Sequence, residues 1–250
     1  MTEPLTIIGT PVSPYVRKVL AVLELKGLDW RIDPLVPFLG NDAFTRLSPL
    51  RRIPVLVDGD LVLSDSSVIC EYLDELHPGT ALMPRGAANR ARVRWLEEFA
   101  DTRLADVLIW GIFGPAITRP GIFKSARDEA ALARVIAEDL PPVMDLVETM
   151  APEAGFYAGD LTTADLAVAV HFANLRWSGV AVDLGRWPLA AAWIARIEAA
   201  EPLLRLNALG ERALTVRYPD RAALFAEYGI ALVDAGVSGR EARRGPMTTL

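Results

Sequence analysis

The chain has 250 residues, 52% hydrophobic and 23% charged, enough for a buried core in one large or two modest domains and too apolar for disorder. A formal net charge of −6, with no basic block beyond the short run 241–245, argues against nucleic-acid binding. A single cysteine, Cys70, excludes an intramolecular disulfide and a thiolate cluster, and the two histidines, His77 and His171, are too far apart in sequence to suggest a metal site.

Residues 1–10 lack the basic region and apolar core of a signal peptide. No apolar run reaches about 18 residues, so no transmembrane helix is expected, and a reducing cytoplasm is the expected compartment. Residues 4–8 read as a buried strand. Pro14 then opens a helix, at the first turn where its missing N–H costs nothing. Val16, Val19, Leu20 and Leu23 form one apolar face, and Gly27 ends it. Residues 29–35 read as a second strand, extended at Asp33 by Pro34. The two strands should be parallel and joined right-handed. Residues 53–64 read as two strands around Asp58-Gly59. A helix follows, with a stripe of Val68, Ile69, Tyr72, Leu73 and Leu76, a cap at Ser64 or Asp65, and a stop at Pro78-Gly79.

From Ala87 to about Leu214 the pattern is helical throughout. The spacing predicts helices at 87–113, 125–149, 162–178, 186–199 and 201–212, with breaks at 114–121, 151–160 and 178–185. The expected organisation is an α/β domain over 1–79, a linker over 80–86, a helical domain over 87–214 and an extension over 215–250. After Pro219 one helix over 220–236 is expected, then a mobile polar end.

Four features carry chemistry. Ser13, at the start of the first helix, can cap it or donate a hydrogen bond to an anion held there. Pro54 after Ile53 opens a strand; a cis bond there would turn the Ile53 backbone outward for an extended peptide, and an ordinary edge proline is the alternative. Asp65-Ser66 begins the third helical segment, where a carboxylate and free N–H groups can take an ammonium and a carboxylate, or simply cap. Thr162 and Asp165 have capping-box spacing and should start a buried helix without touching substrate.

In this order, the segments 13–30, 48–75 and 159–169 resemble the cytosolic glutathione S-transferase superfamily over roughly residues 4–205. The resemblance implies an α/β thioredoxin-like N-terminal domain (βαβαββα) followed by an all-α C-terminal domain. It implies that Ser13 stabilises the glutathione thiolate, as in serine-type members. It sets Ile53, with Pro54 cis, against the cysteinyl residue, and Asp65 and Ser66 on the γ-glutamyl group. Arg52 falls where the glycyl carboxylate is reached, with Arg51 as the alternative. Tyr15, two residues after Ser13, is a rival hydroxyl. Asp65 departs from the commoner Glu or Gln and has a shorter reach.

No metal or bound cofactor is implied; glutathione is the co-substrate, attacking a small hydrophobic electrophile. Tyr15, Trp110, Phe113 and Ile117, with Phe123, are the candidates for the electrophile pocket, and core packing or a dimer seam is the alternative. A homodimer is implied by resemblance only. Cys70 reads as a packing thiol and His171 as a core histidine. Glutathione-dependent isomerisation, dehalogenation and peroxidation share the same thiol activation. A non-catalytic binding module is the other alternative, opposed by the intact Ser13 and Asp65-Ser66.

Overall fold

A computed structural model describes residues 4–217 and 220–246. These form two compact units, one of residues 4–80 with 204–217 and 220–246, the other of residues 81–203. Among the described residues no helix is long and apolar enough to cross a membrane.

In the first unit, β1 (Leu5–Ile8) leads into α1 (Pro14–Leu25) and returns as β2 (Trp30–Asp33), parallel to β1 with Ile7 opposite Ile32. Val16, Val19, Leu20 and Leu23 of α1 are fully buried. Full burial of such side chains stabilises the fold by about 1.5–3 kcal/mol each. A short α2 (Asp42–Leu47) is capped by Asn41, whose Oδ1 accepts from the N–H groups of Ala43 (2.8 Å) and Phe44 (3.1 Å). Then β3 (Val55–Asp58) and β4 (Leu61–Ser64) form a hairpin, and α3 (Ser66–Leu76) follows. The hairpin turn falls at Gly59-Asp60, one residue later than the sequence suggested. Asp58 stays in the ladder opposite Leu61, and Gly59 takes the φ of +57° that the turn needs. β3 runs antiparallel to β1 and β4 antiparallel to β3.

The second unit begins with α4 (Ala87–Phe99). Its coil does not stop at residue 114, as expected, but runs to residue 123. Hydrogen bonding widens to i→i+5 over Ala100–Leu104 and Asp106–Thr118, and α5 (Arg119–Phe123) completes the run. The wide coil explains why Pro115 does not break it. In a regular α-helix the ring would clash with the carbonyl four residues back, and the extra residue per turn relieves that contact. A second departure is the divided helix 129–150: α6 (Glu129–Arg134), a wide turn at Val135–Asp139, then α7 (Leu140–Met150). α8 (Thr163–Trp177) is buried along nearly its whole length, and α9 (Pro188–Glu198) packs beside it. Glu148 on α7 caps α9 from outside, its carboxylate accepting from the N–H groups of Leu189 (3.1 Å) and Ala190 (2.7 Å).

α10 (Glu201–Thr215) starts in the second unit, but residues 204–214, assigned above to the helical domain, group with the first. Arg205 explains this: its guanidinium bonds Glu24 on α1 and the carbonyl of Tyr228. α11 (Arg221–Glu227) is less than half the length expected, because Gly229, at φ +65°, ends the helix. The chain then forms β5 (Ala231–Leu232), parallel to β2, giving the sheet order β4-β3-β1-β2-β5. The polar end, expected to be mobile, is hydrogen-bonded at Gly239 and Arg243 among others. Pro219 and residues 247–250 lie outside the described residues.

Candidate active site

The sheet register brings the sequence motifs to one end of the first unit. Ile8 pairs with Val55, and Val55 with Ser64. One step beyond that row lie Gly9, Pro54 and Asp65. The turn bearing Ser13, the Ile53-Pro54 step and the start of α3 therefore share one edge of the sheet. Gly9 marks how close they are. A methyl group built on it would come within 2.6 Å of Val16 Cγ2 and 3.1 Å of Ile53 Cβ, so the backbone there tolerates no side chain.

Ser13 is the N-cap of α1, half-buried, with extended backbone. Its Oγ accepts from the Val16 N–H at 3.4 Å, a long bond near the limit for the interaction. The hydroxyl is thus weakly engaged and sits at the positive end of α1. The loop beneath is held by Arg17, a fully buried residue that donates from Nη1 to the carbonyl oxygens of Pro11 (2.8 Å) and Val12 (3.0 Å). The next residue, Lys18, is buried too and donates to Ser67 Oγ at 2.9 Å, tying the first turns of α1 and α3 together. Periodicity gave no sign that these two cations face inward. Tyr15 is half-buried.

The Ile53-Pro54 bond is cis. The Ile53 side chain is buried, and among the described residues neither its N–H nor its C=O is hydrogen-bonded within the chain. Asp65 has φ +89°, a conformation that costs a non-glycine residue of order 1–3 kcal/mol and concentrates at functional sites. Its Oδ1 caps α3, accepting from the N–H groups of Ser67 (3.0 Å) and Val68 (3.3 Å). Among the described residues its Oδ2 has no partner, and the side chain is exposed. Ser66 is buried.

The two arginines differ sharply. Arg51 is buried at φ +53°, with Nη1 donating to Thr45 Oγ1 (2.5 Å), Nη2 donating to the Gly40 carbonyl (2.8 Å), and the group standing over the Phe44 ring. Burial, with the Arg243 cation nearby, lowers its pKa, and Asp42 partly offsets this. Arg52 is exposed, and its guanidinium has no partner among the described residues. Its backbone is clamped by Ser48, whose Oγ accepts from the Arg52 N–H (3.0 Å) and donates to the Arg52 carbonyl (2.9 Å). Sequence reasoning missed Ser48, which carries no local pattern.

In the second unit Trp110, Ile117 and Phe123 are half-buried, and Phe113 is buried in the core. Asp165 is fully buried. Its Oδ2 accepts from Thr162 N–H (2.9 Å) and Thr162 Oγ1 (2.7 Å), and its Oδ1 from Tyr157 N–H (2.9 Å) and Trp193 Nε1 (2.9 Å). Cys70 is buried, and His171 is buried with Nδ1 bonded to the Ala167 carbonyl at 2.7 Å. Among the described residues no group of three or more His, Cys, Asp or Glu could hold a metal.

The chain is similar to known glutathione S-transferases. The family model described as "Glutathione S-transferase, N-terminal domain" matches residues 7–81. Glutathione S-transferase 3 of Zea mays is 33% identical over 175 residues, covering 65% of this chain and 74% of that protein. Among solved structures, a glutathione S-transferase from Rhodospirillum rubrum F11 superposes with a TM-score of 0.73 at 27% identity, over 81% of this chain and 91% of that one. One from Sinorhizobium meliloti 1021 superposes at 0.72 and 25% identity, over 89% and 99%.

Proposed function

The chain belongs to the glutathione S-transferase family, and from that premise we propose that it is a serine-type member in which Ser13 stabilises the thiolate of glutathione for attack on a small hydrophobic electrophile. Glutathione is the co-substrate, and no bound cofactor takes part. The observation that carries the reading is the register that lines up Gly9, Pro54 and Asp65. It supports one extended tripeptide lying along that edge.

In this reading the unpaired backbone of Ile53 meets the cysteinyl residue as an added strand would. Oδ2 of Asp65 takes the γ-glutamyl ammonium, and the α3 start at Ser66 takes its carboxylate. The sulfur then lies over the Ser13 turn. A free thiol has a pKa of about 8.5, so only a small fraction is ionised near neutrality. Serine holds its own proton too tightly to act as base. It donates a hydrogen bond, and the α1 N-terminus adds its field. The anion attacks the electrophile; the carbon–sulfur bond forms as the leaving group departs, or as a double bond takes up the electron pair. Half-buried Trp110 and Ile117 of the second unit are the proposed apolar contacts for the electrophile.

For the glycyl carboxylate the proposal selects Arg52. The Arg51 fork is already committed to Thr45 and Gly40. Arg52→Ala should weaken glutathione binding about tenfold, the loss of one charge-assisted hydrogen bond. Calorimetric titration measures it. An unchanged dissociation constant rejects the assignment, and absence of binding by the unaltered protein rejects the whole reading. A panel of electrophiles followed by mass spectrometry then identifies the conjugates.

A homodimer is part of the same proposal. Leu61 and Val62 on β4, Val68 and Leu76 on α3, and Trp95 on α4 are exposed apolar side chains of the kind an interface covers. A light-scattering mass of one 27.2 kDa chain, instead of two, would reject it.

A further inference from the structure

The segment 231–243 is built as a strap along the first unit. It begins as β5, with Ala231 opposite Arg31 and Leu232 opposite Ile32, and the Val233 N–H donates to the Ile32 carbonyl (3.1 Å). The strap then turns over the end of β2. The Val237 N–H donates to Asp33 Oδ2 at 2.7 Å. A methyl group at Gly236 would lie 2.8 Å and 2.9 Å from the two carboxylate oxygens, so the Asp33 carboxylate would have to shift to admit one. Burial pushes the Asp33 carboxyl up in pKa, and the Val237 N–H partly offsets it.

Beyond Val237 the strap grips the loop between β2 and α2. Its Val237 carbonyl accepts from the Asn41 N–H (2.9 Å), the Gly239 N–H donates to the Leu39 carbonyl, and the Arg243 N–H donates to the Phe38 carbonyl (2.7 Å). The Arg243 guanidinium pairs with Asp42 at 2.6 Å. Arg51 uses other groups of the same loop, the Gly40 carbonyl (2.8 Å) and, more weakly, the Pro37 carbonyl (3.4 Å), with Thr45 Oγ1 on α2. The loop 37–42 is thus held by two sets of donors, strap and Arg51, which divide its carbonyls between them. Arg51 in turn sits at φ +53° immediately before Arg52 and Ile53.

We propose that the strap 231–243 sets the affinity for glutathione: it fixes the 37–42 loop, which anchors the Arg51 fork, which holds the turn presenting Arg52 and Ile53. Arg51, Val237 and Arg243 are positioning residues in this chain of contacts. The inference rests on the reading that Arg52 and Ile53 bind glutathione. It gives the C-terminal extension a role in the first unit.

Two variants of the full chain test it. Val237→Pro removes the N–H that reaches Asp33, and Arg243→Ala removes the pair with Asp42 without touching the backbone. Amide exchange over residues 37–45 should quicken in both. The dissociation constant and KM for glutathione should rise about fivefold to tenfold, the range expected for positions that act through intervening contacts. The kcat at saturating glutathione and the KM for the electrophile should stay within about twofold, because Ser13 and the second unit are untouched. Arg243→Lys, which keeps a cation for Asp42, should recover most of the affinity. Faster exchange with unchanged glutathione affinity overturns the proposal and leaves the strap a structural element alone. Unchanged exchange in both variants overturns it as well. If the unaltered protein fails to bind glutathione, both this inference and the reading beneath it fall, an outcome distinct from the other two.

Discussion

Replacing Ser13 by alanine should lower turnover by about 100-fold to 1,000-fold, the usual cost of losing one donor aimed at developing or stabilised negative charge. Glutathione affinity should change little, since in the proposed reading the tripeptide is held by Arg52, Ile53, Asp65 and Ser66. The cap is a minor part of the effect. Its bond to the Val16 N–H is 3.4 Å long, and losing an N-cap costs about 1 kcal/mol of stability, not of rate. The pH profile of kcat/KM separates the roles. In the unaltered protein the lower limb should report a thiol shifted below its free value, and in Ser13→Ala it should move back toward about 8.5. Two further substitutions sharpen the result. Ser13→Thr keeps cap and donor and should keep most activity. Ser13→Asp caps at least as well but sets a negative charge against the thiolate, and should be as slow as alanine. Full turnover by Ser13→Ala would transfer the stabilisation to Tyr15 or to the α1 N-terminus alone.

The second large effect is on stability. Asp165→Ala should destabilise the protein by about 3–5 kcal/mol, because it leaves four donors, three of them buried, without an acceptor. Those donors join separate pieces of the second unit: the Thr162 N–H and hydroxyl at the head of α8, the Tyr157 N–H in the loop before it, and the Trp193 indole on α9. One carboxylate closes the start of α8 and fastens two neighbours to it. Asp165→Asn should also destabilise, since one of its two atoms becomes a donor facing donors. Urea unfolding measures both. A loss below about 1 kcal/mol for alanine would mean that water replaces the carboxylate at little cost.

How far the sequence exposes this molecule follows from where its determinants lie. β1, α1, β2 and the hairpin are written locally, in apolar runs, a 3.6-residue stripe and Gly59. The candidate site was legible in pieces, as Ser13, Ile53-Pro54 and Asp65-Ser66. Their meeting at one edge depends on the register of Ile8, Val55 and Ser64, which no single segment specifies. The strand β5 was hidden for a related reason. Two residues cannot show alternation, and Ala231 and Leu232 follow in an apolar pattern that suits a helix, although Gly229 has already ended α11. Arg51 and Arg52 are adjacent and identical in type. What separates them is a backbone angle and a set of carbonyls supplied by residues 37–40, both products of tertiary structure. The helix through Pro115 was misjudged because the rule against internal proline assumes an α-helical spacing that this segment does not keep.

The place of β5 in the chain has a consequence for how the molecule is made. β2 ends at Asp33 and the strand that covers its outer edge starts at Ala231. Translation runs at about 5–20 residues per second, so the edge of β2 waits roughly 10–40 seconds for its neighbour. During that interval unpaired backbone groups of β2 face outward, where another nascent chain can pair with them. That short strand carries the charged side chains of Arg31 and Asp33 at its edge until residues 231–233 arrive to pair with it.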